Sequence, residues 1–140
     1  MSESPGRITA LQPILAVPDV EMALAFYRDV LGFSETWTWG EPPTHGGAGR
    51  DHARFQFTWN PERAASAAGQ AYWLSVHDID ALYAFHQARG ANVVSPLEPK
   101  PWGVREYTVS DLNGYLLRFA APADTRPQSG GDPLRPWVTG

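Results

Sequence analysis

A short phrase occurs twice in this chain at a constant offset of 59 residues. Asp19-Val20-Glu21, then Ala25-Phe26, returns as Asp78-Ile79-Asp80, then Ala84-Phe85, and each copy runs on to a glycine, Gly32 or Gly90. Apolar residues follow at helical spacing in both: Val20, Ala23, Leu24, Tyr27 and Leu31 in the first, Ile79, Leu82, Tyr83 and His86 in the second. Such a stripe covers one helix face. The leading aspartates suit N-caps, because a carboxylate accepts from the open amides of a first turn, and the glycines suit helix ends. A matched cap, acidic residue, Ala-Phe pair and closing glycine is the mark of a duplicated unit.

Strand-like segments surround the two helices. Residues 8–17 are apolar and β-compatible, 33–39 alternate, 53–59 form another strand, and 61–68 read as a short helical turn. Between them GEPPTHGGAGRD, residues 40–51, reads as a Gly/Pro-rich loop. In the second half, strands are expected at 70–76, 91–95, 104–110 and 115–121. The last two are joined by Asp111-Leu112-Asn113-Gly114, whose Asn-Gly pair tolerates the positive φ of a tight turn. Residues 122–140, rich in Pro, Gly and Asp, read as a flexible or loosely docked extension.

The composition excludes several classes. With 140 residues, 43% hydrophobic and 19% charged, the chain suits one packed domain and not a disordered one. A net charge of −4 without a long basic cluster argues against a nucleic-acid partner. No cysteine is present, which removes disulfides, thiolate nucleophiles and thiolate metal sites. No signal-peptide core or membrane-length apolar run is found, so a cytoplasmic protein without a membrane partner is expected.

The phrase PILAVPDVEMALAFYRDVLGF, residues 13–33, resembles the opening module of the vicinal oxygen chelate superfamily, which includes glyoxalases, extradiol dioxygenases and bleomycin resistance proteins. PWGVREYTVSDLNGYLLRF, residues 101–119, is similar to the closing hairpin of the same group, with DLNGY at the turn where the family usually has Asp-Pro-Asp-Gly-Asn. The resemblance implies a single α+β domain over 1–140, built of two βαβββ modules, 8–68 and 69–121, whose curved mixed sheet surrounds a cleft.

In catalytic members of that group, four inward side chains bind a divalent metal. By resemblance these positions are Gln12, Gln56, Ala71 and Arg118. Ala offers no ligand atom and a guanidinium no lone pair, so neither a metal nor another cofactor is expected. Strand alternation from these positions puts Gln12, Ile14, Arg54, Gln56, Thr58, Trp73, Ser75 and Arg118 on the cleft face, and Phe55, Phe57, Tyr72, Leu74 and Val76 against the helices. The resemblance also turns Glu106 and Thr108 inward, which places Glu106 to pair with Arg118. That pair serves equally as a structural ion pair or as a grip on a polar ligand.

Six tryptophans are present, Trp37, Trp39, Trp59, Trp73, Trp102 and Trp137. Any one of them could fill a core or a dimer interface. As a group at the cleft rim, Trp37, Trp39, Trp73 and Trp102 suit stacking on a planar or cationic ligand. His45 and His52 flank the glycine-rich loop without a metal-binding spacing, His77 is expected in solvent and His86 at the core edge. GGAGRD lacks the Lys-Ser/Thr of a phosphate loop.

These residues favour non-catalytic binding and sequestration of a small aromatic or cationic molecule, in the manner of bleomycin resistance proteins, which also implies a homodimer. Three alternatives stay open: a metal-dependent lyase, isomerase or dioxygenase of the same superfamily, a metal-free enzyme using Glu106 as base beside Arg118, and a module with a vestigial cleft. The ligand contacts expected for binding are Gln12, Trp37, Trp39, Gln56, Trp73, Trp102, Glu106, Thr108 and Arg118.

Overall fold

The computed structural model describes residues 5–123. Trp137 and the extension from residue 124 onward lie outside them. The elements are β1 (Ile14–Val17), α1 (Val20–Asp29), β2 (Glu35–Trp39), β3 (His45–Arg50), β4 (Ala53–Trp59), α2 (Pro61–Ala64), β5 (Ala71–Ser75), α3 (Ile79–Ala88), β6 (Asn92–Pro99), β7 (Val104–Ser110) and β8 (Leu116–Pro122). They build two four-stranded sheets of the same topology, β1-β4-β3-β2 and β5-β8-β7-β6, each with one parallel and two antiparallel pairings. The duplicated phrase thus marks two βαβββ units, each with a helix after its first strand.

The largest departure from the sequence reading is β3. Residues 45–50 were expected inside a loop, yet they form the second-to-edge strand of the first sheet. Glycine is a poor strand former because it has no side chain to pack, unless another group needs the space. All three β3 glycines meet that condition. A Cβ at Gly46 would stand 2.9 Å from Val20 Cγ1 of α1, while Cβ atoms at Gly47 and Gly49 would run into the Trp37 indole and the Arg54 side chain.

Smaller differences have local causes. The first strand is confined to Ile14–Val17, because it forms a ladder only where β4 lies beside it. The helical turn after Asn60 ends at Ala64, and β6 extends to Pro99 with two register irregularities. Asp19 caps α1 as expected, its Oδ1 accepting from Met22 N at 2.9 Å. Asp78 does not: it sits at φ 62, ψ 62, and its side chain makes no capping bond.

One core joins the units. Leu15, Val17, Tyr27, Phe55 and Phe57 from the first pack in the same cluster as Tyr107, Leu117 and Phe119 from the second. Polar bonds fix the seam: Tyr27 Oη donates to Asp111 Oδ2 at 2.7 Å, and Tyr115 Oη to the Ala16 carbonyl at 2.8 Å. Asp111 also accepts from the amides of Asn113 and Tyr115, so one carboxylate orders the hairpin and ties it to α1. Burial raises the pKa of Asp111 and of Tyr27. His86, the repeat counterpart of Tyr27, is fully buried and not at the core edge. Its Nδ1 lies 2.8 Å from Tyr107 Oη and its Nε2 3.3 Å from the Leu31 carbonyl. Burial, aided by the Arg50 charge and opposed by the Leu31 bond, lowers its pKa to about 4.

Candidate functional site

Among the described residues each sheet keeps one face free of helices, and the predicted residues lie on these two faces. On the first, the register aligns Ile14, Gln56, Gly47 and Trp37 in one row across the strands. Gly47 is the floor on which the Trp37 ring lies, and Trp37 remains 47% exposed. Two residues along, Arg54 crosses bare Gly49 to reach Glu35, Nη2 to Oε1 at 2.9 Å. Gln56 Nε2 donates to Gln12 Oε1 at 3.0 Å. Trp39 stands edge-on to His45, ring centroids 5.8 Å apart, so His45 belongs to a strand beside the aromatic wall and not to a loop. Of these, Gln12, Glu35, Trp37 and Arg54 border a recess of about 300 Å³.

The second face carries a tighter cluster. Trp73, Arg118 and Thr108 share a row. Arg118 Nε donates to Glu106 Oε2 at 2.6 Å, and Trp102 Nε1 approaches Glu106 Oε1 at 3.4 Å. The guanidinium carbon of Arg118 also lies 5.3 Å from the centroid of the Trp73 ring. Glu106 is thus almost fully covered, 3% exposed at its side chain, although its strand position points to the open face. Arg118 stays 36% exposed, and its two terminal nitrogens make no hydrogen bond among the described residues. The arrangement is a guanidinium set flat by a carboxylate and a ring, with donors left for an incoming group.

The four positions that hold a metal in catalytic relatives do not suit one here. Gln12 Oε1 already accepts from Gln56 Nε2, Ala71 has no donor atom, and Arg118 brings a fixed positive charge already committed to Glu106. Among the described residues no group of three or more His, Cys, Asp or Glu could hold a metal ion.

The structure brings the predicted residues together in two sets, not one. Gln12, Trp37, Trp39 and Gln56 lie on the first open face, and Trp73, Trp102, Glu106, Thr108 and Arg118 on the second. The recess is lined by Gln12 and Trp37 of the first set together with Glu35, Gly49 and Arg54, and a larger crevice elsewhere includes Trp73 but no other member of either set. Sequence reasoning missed Glu35 and the role of the β3 glycines. Glycine at alternate positions 47 and 49 was the available signal, since period two is the spacing of one strand face.

A family profile described as Glyoxalase/Bleomycin resistance protein/Dioxygenase superfamily matches residues 7–119. The solved structure of TioX from Micromonospora sp. ML1 is similar, with 27% identity, 80% of this chain and 97% of that one covered, and a TM-score of 0.68. So is that of the bleomycin-binding protein from bleomycin-producing Streptomyces verticillus complexed with copper(II)-bleomycin, at 26% identity, 82% and 97% coverage and a TM-score of 0.68. A bleomycin resistance determinant encoded on transposon Tn5 shares the fold at 18% identity, with 84% and 100% coverage and a TM-score of 0.67. No curated protein sequence matches the chain.

Proposed function

Since the chain belongs to the glyoxalase/bleomycin resistance protein/dioxygenase superfamily, we propose that it binds and sequesters a small aromatic or cationic molecule without transforming it. The observation that carries this reading is the Trp73–Arg118–Glu106–Trp102 cluster, in which Arg118 occupies a position that the resemblance assigns to a metal ligand in catalytic members. Both Glu106 oxygens face donors, which suits an anchor for Arg118 better than a base awaiting a substrate proton. Flat rings and a stacked guanidinium hold planar ligands, and the terminal nitrogens of Arg118 can donate to ligand carbonyls. The similar protein complexed with copper(II)-bleomycin supports a ligand of that general class and a role in antibiotic resistance.

The separation of the predicted residues into two faces supports a homodimer, in which the first face of one protomer closes over the second face of its partner. Exposed Ile14, Trp37, Trp39, Trp73 and Trp102 supply apolar area for such a closure. The test is a titration of the intact protein with bleomycin and a panel of planar cations, read by tryptophan fluorescence and calorimetry. Saturable quenching is expected, with Trp39→Ala and Trp102→Ala each weakening binding by about tenfold or less. A panel in which nothing binds while the tryptophan variants only destabilise would end the proposal, and so would steady turnover of a bound compound.

A further inference from the structure

The repeat creates two quasi-equivalent seams between the units, and among the described residues their hairpins fill them differently. On the first, Tyr115 reaches the Ala16 carbonyl, Tyr27 reaches Asp111, and a Cβ on Gly114 would stand 2.9 Å from Ala68 Cβ. The second seam is generated by the same offset, with Ser75 in place of Ala16 and His86 in place of Tyr27. Its hairpin, however, passes from β3 to β4 through Asp51-His52 alone, whereas the β7–β8 turn runs from Asp111 to Tyr115. The shorter turn supplies the smaller His52 ring, which lines the opening, in place of Tyr115. A crevice of about 890 Å³ is left between that turn, β5 and α3.

Its chemistry is two-sided. Phe33 and Phe119, 3% and 2% exposed, lie at its floor, and half-buried Leu82 and Phe85 form a wall. At the rim stands Arg50, its guanidinium carbon 5.2 Å from the Phe85 centroid. The carboxylate nearest this cation among the described residues is Asp51, loosely placed at 3.7 Å and itself 84% exposed. Nη1 of Arg50 is buried with no hydrogen-bond acceptor. Arg89 lies 4.4 Å from the centroid of the same Phe85 ring and donates to the Asp29 carbonyl, outside the crevice lining. A partly buried guanidinium with so weak a partner favours an anion, because carboxylate–guanidinium hydrogen bonds are among the stronger ones a site can form. The apolar floor favours a flat hydrophobic body beside that anion.

We propose that this crevice is a second binding site, taking a small carboxylate with an aromatic body. The carboxylate is held by Arg50, and the ring lies against Phe85, Leu82 and Phe33. The site is made within one protomer; it shares Trp73 with the second open face and none of the other residues proposed to hold the ligand there.

The experiment is calorimetric titration of the full chain with 2-naphthylacetate, and with 2-(2-naphthyl)ethanol as its uncharged counterpart. The acid is expected to bind saturably, and the alcohol about tenfold more weakly or worse. Arg50→Met should bring the acid down to the level of the alcohol. Ala81→Trp, placed at an exposed helix position on the crevice rim, should block both without touching the core. Trp39→Ala and Trp102→Ala should leave both unchanged. The proposal is overturned if the full chain does not bind the acid, or if the alcohol binds as tightly as the acid. It is also overturned if binding survives Arg50→Met and Ala81→Trp but is lost in Trp102→Ala, since the compound then sits on the open face.

Discussion

The two open faces carry the same pair of residue types in different surroundings. Glu35 and Arg54 meet at 2.9 Å with side chains 64% and 36% exposed, whereas Glu106 and Arg118 meet at 2.6 Å with the carboxylate only 3% exposed. The arginines are equally accessible, so the difference lies in the acids. Glu35 can exchange its partner for water; Glu106 has Trp102 and Arg118 over it and cannot. An exposed pair is worth little to stability, while removing one partner of a covered pair strands a charge. The first pair is therefore a surface feature of the recess, and the second is the fixed element around which the aromatic cluster is built.

The largest expected effect is that of Arg118→Ala, which should cost about 3 kcal/mol in urea denaturation because Glu106 is left covered and unpaired. Pairing it with Glu106→Leu should restore most of that loss; if the double variant stays as unstable as the single one, the pair is not the cause. Next is Gly46→Ala, which crowds Val20 in α1 and should cost about 2 kcal/mol. Gly47→Ala points to the open face instead, where the added methyl displaces the Trp37 ring, so it should change tryptophan emission more than stability.

A similar contrast holds between the counterparts Tyr27 and His86. Neutral His86 has its pKa held near 4 by burial, below the 6.5 of an unperturbed imidazole. The unfolded chain therefore takes up the proton first as pH falls. Stability from this residue is intact above about pH 6.5 and declines towards pH 4, with a loss of about 2 kcal/mol at pH 5. His86→Gln should flatten that part of the pH profile, and an unchanged slope in this variant would assign the loss to other groups. Smaller still, Asp19→Ala should remove about 1 kcal/mol by unmaking the α1 cap, with Asp78→Gly costing less because Asp78 makes no capping bond. Arg54→Ala should be the smallest, below about 1 kcal/mol.

The duplicated helices were legible because stripe and closing glycine are local signals, and the alternation of β4 and β5 put Phe55, Phe57, Tyr72, Leu74 and Val76 on the side that packs in or against the core. What was not legible depends on distant partners. The HGGAGR stretch has loop composition, and only the Val20, Trp37 and Arg54 side chains that press on it explain why it is a strand. Asp78 has the residue type of a cap but not its backbone, and no sequence pattern distinguishes it from Asp19. The Glu106–Arg118 pair was anticipated by strand parity together with family resemblance. That the expected ligand contacts divide between two faces was invisible, since parity assigns a residue to a face but not one face to another.

That division gives the most direct test of the proposed function. Trp39→Ala removes a ring from the first face and Trp102→Ala one from the second. The two variants are to be unfolded together in equal amounts, refolded, and titrated with the ligand that the intact protein binds. If each site draws one face from each protomer, mixed dimers contain one intact site and one doubly altered site, and about one quarter of all sites should regain wild-type affinity. A mixture that binds no better than the two variants measured separately would contradict the shared-site account.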